Sequence, residues 1–266
     1  MGNNELEALH PVVREPSPSD KIQHAANETL TGMDEQTGVL SYELFMELAN
    51  YRANCCVTIY LPTHKYACQW NERQDLMLFK NTLKNLSERL EASGYDASAI
   101  SNMLMPAYDL LKDDKFWAST SKGLAIFLTE DYFKCIKMNI SPEPEMTCQR
   151  RFNMTPVTPV LEHSKDAVTK YADQTNTELT SSTAADVIEA AYYGRISHLF
   201  VEKGAHIWGS FEEMTSELIL TNGENWDDED LLDMAVIKTL TNRGNVFLLD
   251  RDKMPVQSPI AAIFRF

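Results

Sequence analysis

Long apolar runs are missing from this chain. No stretch approaches the ~20 consecutive apolar residues that a membrane-spanning helix needs, so no membrane contact is expected. Residues 1–36 hold no apolar run either, which argues against a secretory leader. The opening MGNNEL lacks the Ser or Thr that a myristoylation signal places at its sixth position. Positive charge is scarce: 24 Lys and Arg stand against 39 Asp and Glu, a formal net charge of −15. A general nucleic-acid coat needs dense Lys and Arg to meet phosphates. No DNA partner is therefore expected, although a small basic patch is compatible with the balance. The five cysteines, Cys55, Cys56, Cys68, Cys135 and Cys148, are odd in number and follow no framework spacing. Reduced thiols and a cytoplasmic location are expected from that usage. Without secretion, the glycosylation patterns at Asn27-Glu28-Thr29 and Asn153-Met154-Thr155 carry no meaning. No internal repeat and no low-complexity tract occurs.

What is present is an ordinary globular composition, 44% hydrophobic and 24% charged, enough to build cores. At 266 residues the chain suggests about two domains. Residues 1–36, with Pro11, Pro16 and Pro18, read as a disordered or loosely attached tail. Tyr42–Tyr51 has helical spacing, and CCVTIYL (Cys55–Leu61) is a strand that stops at Pro62. Gln74–Ala92 is the clearest helix, with Leu76, Phe79, Leu83, Leu86 and Leu90 on one stripe. A second helix is expected near Ala97–Leu111, kinked or restarted at Pro106. Gly123–Leu128 is a buried-type strand, and Tyr132–Met138 can pair with it. Phe152–Leu161, FNMTPVTPVL, reads as extended, because residues before proline avoid the helical region. The domain boundary is placed at about 161–165, dividing residues 37–161 from 162–266.

The second half holds the most regular stretch, Ala184–Gly209. Thr183 can cap a helix there, with Asp186 as the acidic half of a capping box. Gly194 is the expected left-handed stop. A strand at Ile196–Val201, a turn at Lys203-Gly204 and a returning strand at Ala205–Trp208 complete it. Lys165–Gln174 and Asp230–Asn242 read as helices. Glu217–Leu220, Asn245–Leu249 and Ile260–Phe264 read as strands.

Four groups of residues are candidate sites. Cys55, Cys56, His64 and Cys68 have metal-ligand chemistry. Adjacent strand residues point to opposite faces, so buried structural thiols are the better reading. Asp227, Asp228, Glu229 and Asp230 could hold a divalent cation through oxygens; capping a helix N-terminus is the better reading. Arg73, Lys80 and Lys84 fall at i, i+7 and i+11 of the long helix, a stripe opposite the leucines that could meet phosphate. The alternative is a solvated face, because Glu72, Asp75, Glu88 and Glu91 are interspersed. His64 could act as a general base, but no nucleophile is paired with it by spacing.

Two ordered blocks resemble the bacterial proteins related to archaeo-eukaryotic class 1 release factors and Pelota. The first comprises VTIYLPTH (Val57–His64), Gln74-Asp75, Leu78–Asn81, Leu83–Leu90, Phe116-Trp117 and GLAIFL (Gly123–Leu128). The second comprises Ala190-Ala191, Gly194–Ile196, Leu199–Val201, Trp208-Gly209, Glu229–Asp233, Gly244–Leu249 and AAIFRF (Ala261–Phe266). The resemblance implies two small α/β domains, the C-terminal one an α/β/α sandwich similar to kink-turn-binding ribosomal proteins. The family's central domain and its Gly-Gly-Gln motif are absent, and so is the codon-reading Asn-Ile-Lys-Ser motif. The resemblance therefore implies a non-catalytic interaction module for the ribosome, a structured RNA or a translation-associated protein. No cofactor or metal is implied. Contact residues would come from Arg73, Lys80 and Lys84, or from Arg195 and Arg243. The alternatives are a small hydrolase using His64 or the Asp227–Asp230 carboxylates, and a structural or regulatory protein without RNA contact.

Overall fold

The computed structural model describes residues 40–64, 69–158, 164–175, 177–212, 215–223 and 228–266. The expected tail over 1–36 lies outside them, and most of the expected boundary at 161–165 falls within undescribed residues 159–163. Helix α1 (Tyr42–Asn50) starts at Ser41, whose hydroxyl accepts from the Leu44 amide at 3.3 Å. Strand β1 (Cys56–Pro62) leads to the long helix α2 (Gln69–Ala92), then α3 (Ala97–Leu110) and the short α4 (Asp114–Trp117). Strands β2 (Gly123–Leu128), β3 (Phe133–Met138) and β4 (Glu145–Gln149) follow. The four strands form an antiparallel sheet in the order β3-β2-β1-β4.

β1 and β2 are buried on both faces, which is why their sequences run apolar without alternation. Val57, Ile59 and Leu61 face Phe79, Leu83 and Leu86 of α2 and Met103 and Leu104 of α3. Cys56 and Tyr60 face the other way, onto Phe45 and Leu48 of α1 and onto Phe152 and Met154. α2 begins at Gln69, five residues before the expected Gln74. α3 runs through Pro106 as one helix; the carbonyl that Pro106 cannot serve belongs to Asn102, an exposed residue. β4 alternates polar residues with Met146 and Cys148, which face the first core, but the pattern spans only five residues after a Pro-rich turn and does not read as a strand. The run expected to be extended instead contains a 3-10 turn at Thr155–Val157, with Pro156 preset to its φ.

The second sheet has the order β10-β6-β11-β5. Its strands are β5 (Thr180–Ser181), β6 (Ile196–Glu202), β10 (Asn245–Leu249) and β11 (Ile260–Phe264). β6 is parallel to β10 and antiparallel to β11. Helices α6 (Ala184–Tyr192) and α7 (Leu231–Thr241) cover one face through Val187, Ala190, Leu232 and Val236. Helix α5 (Ser164–Gln174) covers the other through Ala167 and Tyr171. This is an α/β/α sandwich, and the chain as a whole is of the α/β class. A further sheet, β8-β7-β9, is formed by β7 (Trp208–Glu212), β8 (Glu217–Leu220) and β9 (Glu229–Asp230).

The expected return of the chain onto β6 does not occur. Both edges of β6 are taken, by β10 and β11, so the strand after Lys203-Gly204 pairs with β8 and β9 instead. The expected capping box is also replaced. Thr183 holds the N-cap position without a side-chain cap, while the Ser181 hydroxyl donates to Asp186 at 2.9 Å and accepts from the Thr183 amide. Gly194 is left-handed as expected, with φ 69°. A Cβ there would meet the Asn242 side chain at 2.9 Å, so glycine also lets the ends of α6 and α7 touch.

Leu83 lies fully buried in the middle of the α2 stripe. Leu83→Ala should cost roughly 2–5 kcal/mol in urea unfolding, from lost burial and the cavity left behind. Met77→Ala, at a position 63% exposed on the opposite side of the same helix, should change stability by less than about 0.5 kcal/mol.

Candidate functional site

Arg73, Lys80 and Lys84 all lie on the exposed side of α2, opposite the buried Phe79, Leu83, Leu86 and Leu90. At ~100° per residue they stay within about 40° of one another, with exposed Met77 about 40° from Arg73. Lys84 pairs with Glu88 at 3.6 Å, both well exposed. Asp75 does not join this face. Two residues after Arg73 is about 200° of rotation, which puts it on the Leu86 side, and it is only 5% exposed.

Asp75 instead ties α2 to the end of β1. One carboxylate oxygen accepts from the His64 backbone N–H at 2.9 Å, and the other lies 2.9 Å from the His64 Nδ1. The Thr120 hydroxyl donates to the His64 carbonyl at 3.0 Å. The ring is thus oriented by a buried acid while half of its side chain remains exposed. The sequence signal for this pair was weak, because the partners lie 11 positions apart across a loop and Asp75 looked like one more surface acid.

The acidic run before α7 divides among structural partners. Asp227 lies outside the described residues. Asp228 is buried. Glu229 accepts from Arg151 at 2.5 Å. Asp230 caps α7, accepting from the Leu232 amide at 3.0 Å, and sits 2.8 Å from the His206 Nδ1. Capping is therefore the role of Asp230, as the better reading had it. The His206 ring stacks on Trp208, and its pKa is raised chiefly by the Asp230 hydrogen bond. Glu145 lies on its other side at 3.9 Å and is held by the Asn153 amide. Burial raises the Glu145 pKa.

One residue of this region was not singled out from the sequence. Asp233, in the first turn of α7, has no exposed surface. Its Oδ1 accepts from the Met154 and Thr155 amides, at 2.8 and 2.7 Å, and from the Thr155 hydroxyl at 2.7 Å. Its Oδ2 is buried without a hydrogen-bond partner. Burial pushes its pKa up to about 7, against those hydrogen bonds and nearby Arg151, and Asp230 adds to the rise. The available signal was an acid among Leu231, Leu232, Met234 and Ala235, where a first-turn acid would ordinarily face solvent.

Arg195 and Arg243 each follow the end of a helix, α6 and α7, where Gly194 approaches the Asn242 side chain. Arg195 follows Gly194 and lies 3.8 Å from Glu189. Arg243 takes a left-handed φ of 59° after α7 and is exposed. Arg265 joins them, its guanidinium donating to the Ile196 and Asn242 carbonyls. Cys55 and Cys56 point into opposite cores, and Cys68 lies outside the described residues. Among the described residues, no group of three or more His, Cys, Asp or Glu could hold a metal ion, and no helix is long and apolar enough to cross a membrane.

No protein-family model and no curated protein matches this sequence. Solved structures that superpose include an archaeal translation termination factor, aRF1, with TM-score 0.32 and 11% identity. The match covers 84% of this chain and 96% of that one. A second, described as an archaeal protein, has TM-score 0.31 and 12% identity over the same shares. Likeness at this level is too slight to bear on fold or function.

The Asp233 site makes stability depend on pH. Its folded pKa, about 7, stands above the unfolded value near 3.8. The folded state then binds the proton more tightly, so the contribution is fully present below about pH 4 and is lost as pH rises through 7. Asp233→Asn keeps an acceptor for the Thr155 and Met154 donors and cannot ionise. Urea titrations at pH 5 and pH 8 should show wild type losing stability relative to the variant by on the order of 3 kcal/mol. Equal differences at both pH values would mean that Asp233 is ionised throughout.

Proposed function

We propose that the protein is a non-catalytic, translation-factor-like interaction module that binds a ribosome, a structured RNA or a translation-associated protein. The observation that carries this reading is the exposed Arg73/Lys80/Lys84 face of α2 in a chain of net charge −15. Eleven residues of helix spread these cations over about 16 Å, and their long stems allow them to follow a phosphate backbone. The motif blocks that carry the release-factor resemblance support the same reading. VTIYLPTH and GLAIFL fall on the paired strands β1 and β2, and AAIFRF falls on β11 beside β6. Arg195 and Arg243 form the alternative contact.

Phosphate contacts of this kind position a partner without reading sequence. Binding should weaken steeply with salt, with a slope set by at most about three neutralised phosphates. Lys80→Glu with Lys84→Glu should reduce co-sedimentation with ribosomes from the host extract roughly tenfold or more at moderate salt. The thermal melt should stay unchanged, since both side chains are exposed. Association at an unchanged salt midpoint would remove the α2 face from consideration and shift the test to Arg195 and Arg243.

A second reading, a small hydrolase, is favoured by the Asp75–His64 pair, because an oriented and half-exposed imidazole has the arrangement of a general base. His64→Ala should abolish any ester or phosphoester hydrolysis found in a broad substrate screen. Peptidyl-tRNA release is expected to stay at background under either reading, because the sequence contains no Gly-Gly-Gln.

A further inference from the structure

We infer that Cys55 and Cys148 are a redox pair that closes to a disulfide between β1 and the edge strand β4. Cys55 immediately precedes β1, and Cys148 lies in β4, opposite Val57 in the antiparallel register. Their sulfurs are 2.6 Å apart, against about 2.05 Å for an S–S bond. Closure therefore needs a shift of about half an ångström, small beside ordinary side-chain motion. The other described thiols are not placed to compete. Cys56 faces the opposite core, with its S–H donating to the Arg150 carbonyl. Cys135 is on β3, two strands away from β1, or about 10 Å.

Cys55 is buried but lines a surface cavity together with Ala53, Asn54, Thr129, Glu130 and Asp131, and Cys148 is half-buried. Burial and the adjacent Cys55 thiol raise the Cys148 pKa, which keeps this thiol protonated and slows casual oxidation at neutral pH. The oxidant is a small-molecule disulfide. One protein thiol loses its proton and attacks it, giving a mixed disulfide and one released thiol. The second protein thiol loses its proton and attacks the mixed disulfide, releasing the other small thiol. The protein loses two hydrogens and the small disulfide is reduced to two thiols.

The link would join positions 93 residues apart. It would also clamp the strand that runs directly into Arg151 and the Thr155–Val157 turn, the segment held by Glu229 and Asp233. Redox state would then act on the contact between the two sheets. This inference does not depend on the proposed function.

The test uses the full chain, equilibrated at pH 8.5 over a range of oxidised-to-reduced glutathione ratios. It is then quenched in acid, alkylated and mapped by mass spectrometry without reduction. The expected result is a Cys55–Cys148 linked peptide with two fewer alkylatable thiols per chain. A Tm rise of about 5 °C or more, reversed by reductant, should accompany it. Cys56→Ser should keep the link and Cys55→Ser should lose it. Fragment ions of the wild-type peptide assign the bond even where a variant fails to fold. The inference is overturned if both thiols stay alkylatable at the most oxidising ratio. Separate glutathione adducts on the two thiols, or a link to another cysteine, would overturn it equally.

Discussion

The whole arrangement depends on α7 being buried on nearly every side. Leu231 through Ile237 are all buried. Leu232, Ala235 and Val236 belong to the core of the second sheet, while Ile237 belongs to a core of the first. Its first seven residues therefore leave no solvent face on which to place a charge, yet Asp233 lies among them. Burying an acid is costly unless hydrogen bonds hold it. The three donors at Met154 and Thr155 do so, and in the same act they fix where the chain leaving β4 meets α7. The Arg151–Glu229 pair, close beside this point, adds a second tie between the same two segments.

A network of buried polar groups surrounds that contact. Tyr60 donates to the Asn153 carbonyl at 2.7 Å, the Asn153 amide N–H donates to the Thr58 hydroxyl at 3.0 Å, and the Asn153 side chain holds Glu145. These bonds run from β1 of the first sheet to His206 and to Asp230 of β9. In a low-dielectric setting such groups are mutually dependent. The acids here serve the joining of the two sheets, whereas the cations of α2 point outward. That division separates the groups that hold the fold from the groups free to meet a partner, and it is the physical basis of the binding reading.

Much of the local architecture was legible from residues alone. The Phe79–Leu90 stripe, the apolar runs at β1, β2 and β6, and the left-handed Gly194 each follow from a short-range rule. So did the opposite facing of Cys55 and Cys56, which comes from the two-residue period of a strand. The basic face of α2 was legible for the same reason, since three positions on one helix fix its angle. Asp75 and Asp233 were not legible. Asp75 stands in the second turn of α2 and Asp233 in the first turn of α7; the ordinary reading of each is a solvated carboxylate, and nothing local shows that a loop backbone will be folded over it.

The sequence by itself determined periodicity, stops and charge, because these depend on neighbours within about four positions. Tertiary structure alone decided pairing and coupling. It set β7 against β8 and β9 because β6 had no free edge, and it made β4 a strand because β1 offered one. It brought His64 to Asp75 and Cys55 to Cys148, and it placed Asp233 under Thr155. Each of these depends on where distant segments arrive, which backbone hydrogen bonding and the filling of shared cores settle only once the whole chain is folded.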